Sequence, residues 1–206
     1  MSRLVRPSHW PIARVAQKLG VELAPGCEAQ LATWLDTLVE WNARLDLTAA
    51  RTVNELVDLM LADALVVAAL VPTGASLVDV GTGAGAPGLA LAVLRPDLKI
   101  TLVEPLTKRI SFLRTVLGKL GRPDIVLVRA RVEDLETRFD VAISRATLPP
   151  LSWLSAGLGL ADQVWVLLAK DDAPSYEGAE IVQDLTYQWP LTEATRRMVG
   201  YRNTAE

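Results

Sequence analysis

Cysteine and histidine are nearly missing from this chain of 206 residues, which holds one of each, Cys27 and His9. A lone thiol closes no internal disulfide, and one thiol with one imidazole makes no zinc cluster, so no metal site is expected. Ser-His and Cys-His mechanisms are disfavoured too, because His9 lies in the N-terminal tail, far from any other candidate. Any catalysis has to proceed without imidazole. Long apolar runs are also lacking: the longest, Ala64 to Val71, follows Asp63 and falls far short of the roughly 20 residues that span a bilayer. The N-terminus carries positive charge but no continuous apolar core of a signal peptide, so a cytoplasmic protein with no membrane span is expected. Glycine and proline, at 13 and 12, are too few for a collagen-like or low-complexity chain, and a half-hydrophobic composition excludes disorder. The length fits one domain, or one with an appended cap.

A net charge of −3 argues against coating nucleic acid by bulk electrostatics. Its distribution is uneven: Lys108, Arg109, Arg114, Lys119, Arg122, Arg129 and Arg131 fall in one stretch against a lone Asp124. A solvated helix surface is the favoured reading of that run, with a basic face as the alternative.

Periodicity changes near residue 73. Before it, Leu31, Trp34, Leu35, Leu38 and Val39 recur at helical spacing, and Thr52 with Glu55 form the ends of a capping box ahead of a helix over Leu56 to Leu70. After it, strand-like runs at Leu77–Val80, Ile100–Val103, Ile125–Val128, Val141–Ser144 and Val164–Ala169 alternate with helices at Gly88–Leu94, Thr107–Leu120 and Leu151–Leu160. Residues 180–189 and 196–202 supply two more strands, joined by a turn at Pro190. This is an α/β pattern: a seven-stranded, mostly parallel sheet (73–206) behind a helical N-terminal cap (1–72).

The most specific stretch is Leu77-Val78-Asp79-Val80-Gly81-Thr82-Gly83-Ala84-Gly85-Ala86-Pro87-Gly88, where a strand enters a glycine-rich turn and then a helix. Gly81, Gly83 and Gly85 allow a close approach to a ligand, which the free N–H groups of the next helix are expected to face. Glu104 ends the following strand, where a carboxylate accepts from both hydroxyls of an adenosine ribose. The turn also fits a dinucleotide fingerprint, but three features favour S-adenosyl-L-methionine. Asp79 suits the ammonium of a methionine moiety and repels a pyrophosphate. Only about 120 residues follow the turn, too few for a dehydrogenase's second domain. Glu133-Asp134 is placed for an adenine amino group, with an acid-rich helix start as the alternative. Trp34, Trp41, Trp153, Trp165 and Trp189 are expected in the core rather than as stacking platforms.

DVGTGAGAPG, EPLTKRISFL, RVEDL, FDVAISRA and a late VLLAK, with WNARLDLTAART and NELVDLMLADAL upstream, resemble the RsmG (GidB) family, methyltransferases that place a methyl on N7 of a guanosine in 16S ribosomal RNA. The likeness covers roughly residues 28–202 and implies a class I methyltransferase, Rossmann-like, with S-adenosyl-L-methionine as cofactor. It also implies 16S ribosomal RNA or the small ribosomal subunit as partner; a monomer is expected. It maps cofactor binding to Asp79, Gly81, Thr82, Gly83, Gly85, Pro87, Gly88, Glu104 (usually Asp in the family), Val132, Glu133 and Arg145. Arg145 and Lys170 are the catalytic candidates, and Lys108, Arg109, Arg145, Lys170 and Arg196 the substrate-binding ones. Thr48 matches the family's Asn-Leu-Thr motif, here Asp46-Leu47-Thr48.

There are departures. Leu59-Met60 stands where the family commonly has Arg-His, Asp171 follows Lys170 where it has Gly, and Asp46 replaces Asn. These changes fall on the substrate side. A methyltransferase of another RNA or of a small molecule, and a cofactor-binding paralogue without turnover, are therefore the alternative readings. Guanine N7 carries a lone pair and no proton, so methylating it needs placement and no general base, in keeping with a chain that has no spare histidine.

Overall fold

The computed structural model describes residues 4–204, so the outer ends of the expected 1–72 and 73–206 segments lie outside the described residues. Helices α1 (Ile12–Lys18) and α2 (Cys27–Leu45) come first, followed by α3 (Val53–Val57), a π-helical turn (Asp58–Ala62) and α4 (Asp63–Ala68). The Thr52 hydroxyl accepts from the Glu55 N–H as the sequence predicts, whereas the Glu55 carboxylate turns to the N–H of Arg51. The continuous helix expected over 56–70 is interrupted by the π turn, a feature common at functional positions. Both carboxylates that bound the turn, Asp58 and Asp63, are buried.

The rest is a single sheet. Its strands are β1 (Ser76–Val80), β2 (Lys99–Val103), β3 (Val126–Val128), β4 (Phe139–Arg145), β5 (Ala161–Leu168), β6 (Ala179–Gln188) and β7 (Thr195–Asn203). Helices α5 (Gly88–Leu94), α6 (Thr107–Leu120) and α7 (Pro150–Leu160) connect them. The order is β3-β2-β1-β4-β5-β7-β6. Strands β1 to β5 pair in parallel, and β7 runs antiparallel to both β5 and β6. The terminal pair is a hairpin closed around Pro190, where the Trp189 N–H donates to the Ala194 carbonyl.

Alternation along the strands divides the core in two. Leu77, Ile100, Leu102, Val141 and Ile143 face α5, α6 and the cap helices, packing with Trp34, Leu38, Leu61, Leu89 and Phe112. Val78, Val80, Ala142, Val164 and Val166 face α7 through Trp153 and Leu154. Cap and sheet therefore share one apolar cluster. Trp34, Trp153, Trp165 and Trp189 are buried, and the half-buried Trp41 meets Phe112 edge-on at 5.8 Å. All five sit in the core, as their spacing predicts.

Candidate functional site

The strand order reverses beside β1, whose neighbours are β2 and β4. A crevice must open there beyond the carboxyl ends, since the connections leave β1 toward opposite sides. A cavity of about 490 Å³ lies at this point, walled by Gly81 to Ala84 and Ala86 after β1, Glu104 to Leu106 after β2, and Arg145 to Thr147 at the end of β4. Leu47, Thr48, Ala49, Leu59 and Met60 close it from the cap side. Its size suits one nucleoside-sized ligand.

Four carboxylates and one tryptophan hold these walls. Asp79, fully buried under the glycine turn, accepts from the Thr82 hydroxyl at 2.7 Å and the Gly88 N–H at 2.8 Å through one oxygen, while its other oxygen has no partner among the described residues. Burial pushes its carboxyl up to about 6, against the hydrogen bonds and the Arg145 charge that pull it down. Glu104, also buried, takes the Gly83 N–H on one oxygen and the Leu106 N–H on the other, each at 3.0 Å. The carboxylate thus ties the glycine turn to the loop after β2, and each oxygen keeps a lone pair. Arg109 stands 3.5 Å from it at the rim. From the cap, Trp34 Nε1–H donates to the Ala84 carbonyl at 2.9 Å. Asn42 accepts from the N–H groups of Leu47 and Thr48, which fixes the segment that carries Thr48 into the cavity wall.

Arg145 is held by Nη1, which donates to the Leu59 carbonyl and, at 3.1 Å, to Asp63. Asp63 also accepts from the Tyr187 hydroxyl and Trp189 Nε1–H, both at 2.7 Å. The fourth carboxylate, Asp58, accepts from the N–H groups of Leu191 and Thr192 and from the Thr192 hydroxyl. The π turn is thereby locked to the terminal hairpin.

Of the residues expected at the site, Gly81, Thr82, Gly83, Glu104, Arg109, Arg145 and Thr48 line this cavity. Others do not. Asp79, expected beside a ligand's ammonium, is turned beneath the loop because Thr82 and Gly88 claim its carboxylate there. The N–H groups at the start of α5 are likewise spent inside the protein, Gly88 on Asp79 and Leu89 on the Gly85 carbonyl. Gly85 and Gly88 serve packing: a Cβ at Gly85 would press on Leu89 and Leu113, and one at Gly88 on Asp79 and Leu102. Pro87, buried beside them, lies outside the cavity wall too. Val132 and Glu133 form a short 3-10 turn after β3, away from the cavity wall, with Glu133 exposed and 3.7 Å from Arg131. Lys108, Lys170 and Arg196 do not line the cavity either, yet the topology sets them at the same edge. Lys108 starts α6, Lys170 follows β5, and Arg196 begins the antiparallel β7.

Within the basic run, Arg122 pairs with Asp124, Lys119 approaches Glu40, and Lys108 and Arg114 stand exposed. Sequence reasoning did not find Trp34, Asn42, Asp58 or Asp63 as parts of this site. Their partners lie 5 to 134 positions away, and although WNARLDLTAART and NELVDLMLADAL contain Asn42, Asp58 and Asp63, nothing in those stretches says which remote group each meets.

Residues 27–161 match the protein family described as rRNA small subunit methyltransferase G. A ribosomal RNA small subunit methyltransferase G from Halorhodospira halophila is 40% identical over 172 residues, covering 82% of this chain and 81% of that protein. One of the same description from Anaeromyxobacter dehalogenans (strain 2CP-C) is 32% identical over 208 residues, covering 94% and 97%. Among solved structures, TrmN from Thermus thermophilus superposes with a TM-score of 0.53 at 18% identity, over 68% of this chain and 47% of that one. A mutant of MtNAS superposes with a TM-score of 0.57 at 14% identity, over 94% and 82%. Both show the fold alone.

Proposed function

The chain belongs to the rRNA small subunit methyltransferase G family, and on that premise we propose that it is an S-adenosyl-L-methionine-dependent enzyme that methylates N7 of a guanosine in 16S ribosomal RNA, as a cytoplasmic monomer. The observation that carries this reading is the cavity at the reversal of strand order, where the glycine turn, the Glu104 carboxylate and Arg145 meet. The residues present fit the cofactor. A Cβ at Gly83 would enter open space, with nothing nearer than 3.8 Å, so its absence leaves room for a ligand to lie on the turn. The Glu104 lone pairs suit ribose hydroxyls. An orphaned buried oxygen on Asp79, directly under the turn, keeps a negative potential there that suits a cationic ligand.

When bound, S-adenosylmethionine supplies the methyl as an electrophile, sulfur keeping the electron pair of the broken bond. The chain's own task is placement. N7 of guanine has a free lone pair, so the site has no proton to remove and needs no base. Holding two reactants in line at about 3 to 3.5 Å is worth roughly 7 to 11 kcal/mol. Arg145 presents a fixed cation at the wall, while Lys108, Arg109, Lys170 and Arg196 supply the local positive charge that an acidic protein needs to hold a phosphate backbone. Glu133 and Val132, after β3 and outside the cavity wall, are assigned to the adenine side by the family resemblance alone.

The test is transfer of a radiolabelled methyl to purified small ribosomal subunits that lack the modification. Methyl should appear on a 16S guanosine, and RNA affinity should fall steeply with salt. A second reading is favoured by Leu59 and Met60, which make the cap-side wall apolar: methylation of another RNA. Transfer to total undermodified RNA with none to small subunits would support that reading and remove the first. Binding of S-adenosylhomocysteine without any transfer would remove both.

A further inference from the structure

Two carboxylates lie five positions apart at the ends of the π turn, both buried, and they do different things. Asp58 receives backbone N–H groups and a hydroxyl from residues 191 and 192, which fastens the turn of the hairpin. Asp63 receives side chains alone: the Tyr187 hydroxyl and Trp189 Nε1–H on one oxygen, and Arg145 Nη1–H on the other. The side chain of Asp63 is 3% exposed and that of Arg145 is 17% exposed, so this pair is shielded from solvent.

The consequence for Arg145 is geometric. Both of its hydrogen bonds use Nη1, and among the described residues nothing accepts from Nε or Nη2. Two acceptors on one nitrogen stop the guanidinium from swinging, and the fork formed by Nε and Nη2 stays free on a residue that lines the cavity. Such a fork pairs best with two oxygens of one anion, provided its plane is held. The same carboxylate reaches a second cation through one ring: the Arg196 guanidinium lies 3.8 Å from the centroid of Trp189. A favourable cation–π contact of this kind needs the ring fixed, and Asp63 fixes it.

We infer that Asp63 is a positioning residue for methyl transfer: it sets the plane of the Arg145 fork and, through Trp189, the place of Arg196, so that two cations are held apart at one distance to receive the RNA substrate. This rests on the function proposed above. The turn of the hairpin is already fastened through its backbone by Asp58, so the Asp63 contacts add side-chain alignment to an existing attachment.

The experiment compares Asp63→Asn with Asp58→Asn and Arg145→Ala in single-turnover methyl transfer to undermodified small subunits, well below each variant's melting temperature. S-adenosylhomocysteine affinity is measured by calorimetry alongside. Asp63→Asn keeps the volume but turns an amide donor or a single weaker acceptor toward Arg145. Its transfer rate should fall at least tenfold with cofactor affinity within threefold of wild type, and adding it to Arg145→Ala should cost clearly less than it costs alone, the remainder passing through Arg196. Asp58→Asn should lose stability, and any effect on its rate should multiply with that of Arg145→Ala instead of merging with it. A folded Asp63→Asn protein at the wild-type rate overturns the inference, as does a double variant in which the two losses multiply. If Asp63→Asn does not fold, Tyr187→Phe with Trp189→Phe removes two donors from the carboxylate and leaves an aromatic ring, smaller at 189, at each position. That protein should be several-fold slower, and a wild-type rate again overturns the inference. A wild-type protein that binds S-adenosylhomocysteine and methylates no subunit removes the proposed function, and this role with it, an outcome distinct from variants that match an active wild type.

Discussion

Buried carboxylates close both the glycine turn and the junction between cap and hairpin, over very different lengths of chain. At the turn, Asp79 reaches 3 and 9 residues ahead and Glu104 reaches 21 back. At the junction, Asp58 and Asp63 reach across 82 to 134 residues. They also differ in satisfaction. The junction carboxylates have partners on both oxygens, while Asp79 keeps one oxygen bare in a fully buried site. A protein leaves a buried polar atom unpaired at a cost; Gln30 and Trp165 carry such atoms away from the cavity, while that of Asp79 lies directly under the glycine turn that walls it. The junction is built for stability and alignment, the turn for occupancy.

Removing the strongest junction carboxylate is the hardest blow to that division. Asp58→Ala strips three hydrogen bonds to a charged acceptor, and should lower unfolding free energy by about 4 kcal/mol in urea titrations. S-adenosylhomocysteine should still bind the folded fraction with little change. A large loss of affinity would show that the two regions are one.

The turn should respond to pH in the opposite sense from an ordinary paired carboxylate. Asp79 rises from 3.8 to about 6 on folding. Its stabilising contribution is therefore complete below pH 4 and is lost as pH rises through 6, an amount of about 3 kcal/mol. Asp97, Asp124, Asp140 and Asp184, held low mainly by hydrogen bonds from neighbouring side chains, slope the other way. Their effect cancels in a comparison of wild type with Asp79→Asn. The stability of wild type relative to that variant should fall between pH 4 and 7 and stay level above. A flat difference would mean that the carboxylate is not desolvated as described.

Within the turn, two glycines sharpen the comparison further. A Cβ at Gly81 would collide with the Thr147 side chain, whereas one at Gly83 meets nothing closer than 3.8 Å; both residues have positive φ. Gly81→Ala should cost about 2 kcal/mol of stability and Gly83→Ala about 1 kcal/mol. The order should reverse for S-adenosylhomocysteine affinity, where Gly83→Ala places its methyl in the cavity. Equal effects on binding would move the ligand off the turn.

Most of the fold was legible because its signals are short-range. β1, β2 and β4 extend their predicted runs by one to three residues, and α5 and α6 match theirs to the residue, since apolar period, glycine and proline mark each boundary. The glycine-turn wall of the cavity was legible for the same reason: a strand, a glycine turn and an acid at the next strand's end form one contiguous signal. Asp79 was identified, but its Thr82 and Gly88 partners were not, because spacing along a chain does not say which way a carboxylate turns.

What the sequence alone determined is thus the alternation of elements, the reversal point they imply and the family to which the motifs point. Tertiary structure decided the rest. It split the expected helix over 56–70 with a π turn, brought Asp63 to Tyr187, Trp189 and Arg145, and set cations of α6, of the loop after β5 and of β7 along the same end of the sheet. Periodicity reports which face of an element is buried. It carries no information on which remote donor meets a buried carboxylate, because that pairing is set by packing across the whole chain and by the cost of leaving either partner alone.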